Sequence, residues 1–317
     1  RTAHIVLGFI AFLGVAMIGV PGKADGWPQQ PVDYIIPFGY GGESGIAARM
    51  QQPVFTQLTG HDLVISHKPG GGGAVVWSEL NNMKGDGNTI VGINLPHLII
   101  QPVRGARYKT EEIAALYLFH YTPNALIVSS DSPYETLDDL IKDAQERPNQ
   151  VLLSGSGKGT ANHLSQVRFD NLAGIETEYR AYKGTGESIA ALLSGTVDAA
   201  WAYTTVALQQ QADVRVLGVA MEERHPSIPD APTFRELKFD MVDGAYRGIA
   251  VPNYTPEPIK RAISKTFATL NKDTAFVQKK QSLGFVPVDI GYDKLPAFIA
   301  ERTQQYRDLA KRAGLTE

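Results

Sequence analysis

From Trp27 onward the chain repeats one order many times: a short apolar run, a turn rich in glycine or small polar residues, then a helical stretch. Val32–Ile36 leads to Gly41-Gly42-Glu43-Ser44 and an amphipathic stretch to Leu58, interrupted by Pro53. Leu63–Ser66 leads to Pro69-Gly70-Gly71-Gly72-Gly73 and Ala74–Leu80, and Thr89–Ile93 leads to Asn94-Leu95-Pro96-His97. Such alternation predicts βαβ units and an α/β fold with parallel strands. Right-handed crossovers then put every glycine turn at the carboxyl end of its strand.

A second series starts at Ala125–Val128. It continues through a helix at Leu137–Gln145, a strand at Val151–Leu153, the loop Ser154–Thr160 and a helix at Ala161–Leu172. Strands are expected near Glu176–Tyr179, Ala199–Trp201, Val214–Val219 and Arg247–Val251, with long helices from Pro256 and from Lys294. At 317 residues the chain has the length of two domains. No linker rich in proline, glycine or serine divides it. The expectation is therefore two Rossmann-like lobes, residues 27–124 with 250–317 and residues 125–249, joined by strands crossing at Ala125–Ser129 and Gly248–Pro252.

Residues 5–20 (IVLGFIAFLGVAMIGV) are apolar or glycine throughout, with Arg1 before them and Gly22-Lys23-Ala24 after. A basic start, an apolar centre and a small-residue cleavage site form a secretory signal peptide, expected over residues 1–24. Removing Arg1 and Lys23 would take the net charge from −3 to −5. An exported protein without cysteine has no disulfide, no thiol nucleophile and no Cys-ligated metal. The acidic balance argues against a nucleic-acid partner.

Function has to be sought in the loops. A helix start leaves four N–H groups without partners, and its dipole favours an anion. Gly39–Ser44 and Ser154–Thr160 offer such starts with hydroxyl donors, and facing each other they suit a ligand with a carboxylate at each end. Alternatively they are tight βα turns, with Ser44 and Thr160 as N-caps. Nucleotide patterns fail. Gly159 stands where a P-loop needs Ser or Thr after Lys158, and Leu152 stands where it needs glycine. Val75 and Val76 occupy the final-glycine places of a dinucleotide fingerprint after Gly70–Gly73. No HExxH or GxSxG motif and no histidine cluster points to a metal or a nucleophile, so neither cofactor nor catalytic residue is expected. Phe38, Tyr40, Trp201, Tyr203 and Tyr246 near strand ends can wall a cleft. Arg247 can pair bidentately with a carboxylate, and His163 can donate to an anion.

Pro31-Val32-Asp33-Tyr34-Ile35-Ile36-Pro37-Phe38 with Gly41-Gly42, and Lys68-Pro69 with Gly70–Gly73, form part of an ordered set. Gly155-Ser156-Gly157, Asn162-His163-Leu164, Tyr182-Lys183-Gly184 and Ile228-Pro229-Asp230-Ala231-Pro232-Thr233 complete it. This set resembles the Bug-type solute-binding receptors of tripartite tricarboxylate transporters, from about Trp27 to the end. The resemblance implies a type II-like, two-lobed periplasmic binding protein that acts as a monomer. It would take a small organic carboxylate (a dicarboxylate, tricarboxylate or aromatic acid) in a cleft and deliver it to one large and one small integral membrane subunit.

By resemblance the ligand residues are Phe38, Gly39, Tyr40, Gly41, Gly42 and Ser44 on one lobe. On the other they are Ser154, Ser156, Thr160, Asn162 and His163, with Lys183, Gly184 and Thr185 nearby. Asn94, His97, Tyr203, Thr204 and Arg247 are added. Two positions depart from the family pattern. Gly45 stands where many members have Asp, which is expected to free space in the cleft and favour a bulkier or more anionic ligand. Tyr40 replaces a smaller residue. A ligand-sensing module for a signalling system and an exported α/β hydrolase are the alternatives.

Overall fold

The computed structural model describes residues 26–312 and 314–315; the leader expected at residues 1–24 lies outside them. The chain opens with β1 (Val32–Ile36), α1 (Glu43–Thr59), β2 (Leu63–His67), α2 (Ala74–Glu79), β3 (Thr89–Leu95) and α3 (His97–Val103). β1 runs parallel between β2 and β3, as the alternation requires. α1 continues through Pro53 to a left-handed cap at Gly60. A proline inside a helix costs about 3 kcal/mol. Here Phe55 is fully buried, edge-on to Trp27 and against Phe267, and burying a phenylalanine returns about 1.5–3 kcal/mol. Packing thus overrides the local signal.

β4 (Ile113–Ser129) is far longer than the run Ala125–Val128 suggests, and nearly every residue in it is buried. Burial on both faces removes the alternation that would have marked its length. After it come α4 (Leu137–Glu146), β5 (Leu152–Gly155), α5 (Ala161–Ala173), β6 (Glu178–Ala181) and α6 (Thr185–Leu193). β7 (Ala199–Tyr203), α7 (Thr204–Gln209) and β8 (Val214–Val219) follow. β5 lies parallel between β6 and β7. The chain ends with β9 (Gly244–Pro252), α8 (Glu257–Leu270), α9 (Thr274–Ser282), β10 (Val286–Gly291) and α10 (Leu295–Arg312).

β4 joins the two halves. Its first part pairs antiparallel with β9 and β10, and its last part, from Asn124, pairs with β7 and β8. The strand order is β2-β1-β3-β9-β4-β7-β5-β6. β9 pairs only with β3 and β4, so Gly248–Pro252 lies within the first sheet and the chain has already returned there at Gly244. Arg247, placed by the sequence pattern in the second lobe, therefore belongs with the first. Separate apolar cores lie on the faces of each half, one around Phe55, Ile263 and Phe267 and another around Trp201, Phe169 and Phe234. The result is a two-lobed α/β protein whose halves share β4, and the carboxyl ends of both parallel sets face one crevice, where such folds bind ligands.

Candidate functional site

The crevice is closed. Gly39 N–H donates to the Lys183 carbonyl of the other lobe at 3.1 Å, and a Cβ on Gly186 would stand 2.6 Å from the Tyr40 carbonyl oxygen. Glycine at 186 is what allows the two backbones to meet. On the far side of the crevice, Gln101 and Arg104 donate to the Lys158 carbonyl at 2.8 and 3.0 Å. Between these contacts remains a cavity of about 10 Å³, room for one water.

Phe38, Gly42, Ser44, Asn94 and His97 wall the cavity from the first lobe, with Arg247 from β9. Ser156, Thr185 and Tyr203 wall it from the second. All nine were expected. The tenth lining residue, Glu43, was not. It begins α1, is 2% exposed, and its carboxylate is ion-paired with Arg247. The Thr122 hydroxyl donates to the same carboxylate, and His120 Nε2 stands 3.6 Å away. Burial raises the Glu43 pKa, and the Arg247 charge with the Thr122 and Arg247 hydrogen bonds opposes the rise. An acid in the first helical turn is favoured by the dipole. That position, between two residues expected to face the cleft, was the available signal for Glu43.

Arg247 is 3% exposed and lies over the Tyr203 ring at 4.4 Å. One terminal nitrogen donates to the Ala245 carbonyl at 3.0 Å, while Nε has no partner among the described residues. The Tyr203 hydroxyl and His97 Nδ1 are likewise buried without one. Burial, then the Arg247 charge, holds His97 far below its ordinary pKa, so it is a neutral imidazole. Asn94 donates to Ser44 Oγ at 3.2 Å.

On the second lobe, the Ser156 hydroxyl donates to Asn162 Oδ1 at 2.6 Å. Asn162 Nδ2 donates to Asn124 Oδ1 at 3.1 Å, and Asn124 Nδ2 to Ser165 Oγ at 2.6 Å. This relay fixes Ser156 against β4. Its β4 member was absent from the expected set, as were His120 and Thr122. The three alternate along β4, so they share one face, and polar residues at period two in an apolar run were the signal for them.

The remaining expected residues lie outside the cavity wall. Tyr40 is 74% exposed on the rim and packs on His67 at 4.0 Å between ring centres. Gly39, Lys183 and Gly184 form the mouth through their backbones, and Gly41 takes the positive φ (70°) that turns the chain there. Ser154 hydrogen-bonds Ser188 under α6. Thr160 caps α5, accepting from His163 N–H and donating to the Gly157 carbonyl. His163 Nδ1 accepts from Gly159 N–H at 3.1 Å. Its ring stacks on Tyr179, and burial, with the Arg104 and Lys158 charges, lowers its pKa to about 4. With Nδ1 accepting, the ring proton of the neutral imidazole sits on Nε2. Thr204 donates to the Gly284 carbonyl in the loop before β10. At Gly45 no space is free. An added Cβ would stand 2.6 Å from the His67 ring, because that imidazole fills the place.

Residues 46–315 match the model of the tripartite tricarboxylate transporter family receptor, TctC. The chain belongs to this family. BugT of Bordetella pertussis is 24% identical, over 96% of this chain and 95% of that protein. A structure described as R. palustris Rpa4515 with adipate superposes with a TM-score of 0.86 and 23% identity, covering 92% of this chain and 99% of the other. MatC (Rpa3494) from Rhodopseudomonas palustris with bound malate gives 0.81 and 21%, covering 92% and 100%. The family is one of solute-binding receptors, and these neighbours show the two-lobed fold. No helix among the described residues is long and apolar enough to cross a membrane.

Proposed function

We propose that this chain is a periplasmic receptor that captures a small organic carboxylate between its lobes and presents it to a transporter with one large and one small integral membrane subunit. The reading is of capture without chemistry. One observation carries it: buried polar atoms without partners among the described residues converge on one cavity from both lobes, the Tyr203 hydroxyl from the second and His97 Nδ1 and Arg247 Nε from the first. A carboxylate has lone pairs for several such groups at once, and a charge-assisted bond contributes about 1.5–3 kcal/mol. The adipate and malate held by the two related proteins support the ligand class. Export rests on the leader pattern of residues 1–24 and on the family.

Opening of the β4 hinge admits the ligand. Closure then replaces its water with hydroxyl, imidazole and guanidinium groups, and the rims present one joined surface to the membrane subunits. A thermal-shift screen of small organic acids tests the reading. A ligand that binds only the folded chain raises the melting temperature as its concentration rises. Absence of a shift with every mono-, di- and tricarboxylate would refute it. With the acid that shifts the melt most, Tyr203→Phe, which removes the unpartnered hydroxyl, is expected to weaken binding about tenfold, the loss of one good hydrogen bond, and isothermal titration measures this.

A further inference from the structure

Glu43 and Arg247 are the only ordinarily charged side chains among the described residues lining the cavity. They are paired with each other, and the one other ionisable group with a functional range near neutrality, His97, is uncharged. The protein's own charge inside the closed cleft therefore sums to zero. Position 45, where the resemblance leads one to expect an acid, is glycine here, yet a carboxylate stands two residues earlier, at the first position of α1. His67 fills the place of a side chain at 45. The free space expected at position 45 is therefore taken up by that ring.

We propose that Glu43 is the specificity-determining residue of the cleft: by holding Arg247 in an internal ion pair, it admits carboxylates of at most one net negative charge and holds out dianions of the same size. The inference rests on the reading that the cleft binds a carboxylate. A dianion would bring two carboxylates into a closed space already holding the Glu43 carboxylate, three negative charges around one guanidinium. Buried like charges within a few ångströms repel strongly because little water screens them. Nor can the ligand simply displace Glu43 from Arg247. The acid is 1% exposed at its side chain, and losing its cation would leave a buried charge without its counterion.

A single carboxylate avoids this conflict, since the Tyr203 hydroxyl, the neutral His97 ring and Arg247 Nε are not occupied by protein partners. If the other end of the ligand carries an amide or ammonium, its N–H groups find an acceptor in Glu43. The favoured class is thus a monocarboxylate whose second end is neutral or cationic. The Thr122 hydroxyl donates to the Glu43 carboxylate and accepts from Arg247 at 3.4 Å, which ties the pair together.

Isothermal titration at pH 7.5 with pairs of equal skeleton and different charge tests this: succinate against succinamate, and adipate against its monoamide. In the natural chain the monoamide is expected to bind at least about tenfold more tightly than the diacid. In Glu43→Gln, shown folded by its melting curve, diacid affinity should rise at least about tenfold and the preference should shrink or invert. A diacid bound as tightly as its monoamide by the natural chain overturns the charge rule while leaving carboxylate capture standing. A folded Glu43→Gln with an unchanged preference also overturns it. Should the variant not fold, the natural-chain comparison decides alone. If neither member of either pair binds, and no other organic acid does, the carboxylate reading fails and this inference fails with it.

Discussion

The two walls of the cleft are built from different chemistry. The first-lobe wall is ionic, with Glu43 and Arg247 locked together over Thr122. The second-lobe wall is neutral, a relay from Ser156 through Asn162 and Asn124 to Ser165. Each is tied to the hinge strand, through Thr122 on one side and Asn124 on the other. A neutral relay brings no charge to the cleft and is nearly indifferent to the ligand's total charge. An ion pair is sensitive to every further charge placed beside it. The second wall therefore holds, and the first selects.

Removing one partner of the ion pair should have the largest effect. Arg247→Ala leaves Glu43 buried and alone, which costs about 3–5 kcal/mol of stability, measurable by urea unfolding. Adding Glu43→Gln to it should return much of that loss, a coupling that a double-mutant cycle reads directly. If the single change costs no more than a break in the relay, the contrast between the walls is false. Breaking the relay comes next. Asn162→Ala strips the acceptor from Ser156 and a donor from Asn124, at a cost of about 1–3 kcal/mol for buried groups left unmatched. It should weaken diacid and monoamide alike.

Gly186→Ala probes the mouth where the walls meet. Its new methyl would press on the Tyr40 carbonyl oxygen, so closure is opposed by about 1–3 kcal/mol while the open chain stays folded. Small-angle scattering should show a larger radius of gyration, and affinity should fall about tenfold. An unchanged radius would show that the lobes do not meet there in solution. Thr160→Val is expected to have the smallest effect. Loss of the α5 cap costs about 0.5–2 kcal/mol with little change in affinity, because the hydroxyl is spent on the helix.

Much of the fold was legible because periodicity and glycine turns are local signals. The strand expected at Val214–Val219 is found at those bounds, and the helix expected at Leu137–Gln145 extends one residue further. β10 was not foreseen. Its VPVDIG is a short, half-buried strand whose pairing with β4 depends on residues more than 160 positions away. The true length of β4 was hidden by its burial on both faces. In the candidate site, nine of the ten lining residues were among those expected, with Asn94, His97, Tyr203 and Arg247 standing outside the motifs that carried the resemblance. Residue type could not tell which partner each hydroxyl takes: Ser154 bonds Ser188, Thr160 caps α5 and Ser156 donates to Asn162, although the three look alike in the chain.

By itself the sequence determined the α/β class, the two series of strand and helix, and the loops that meet at the crevice, since all of these follow from patterns spanning a few residues. Tertiary structure alone decided the charge of the site. Glu43 and Arg247 are 204 positions apart. Only the placing of β9 beside β3 and β4 brings the arginine to the start of α1, where one buried charge meets the other and neither is left to the ligand alone.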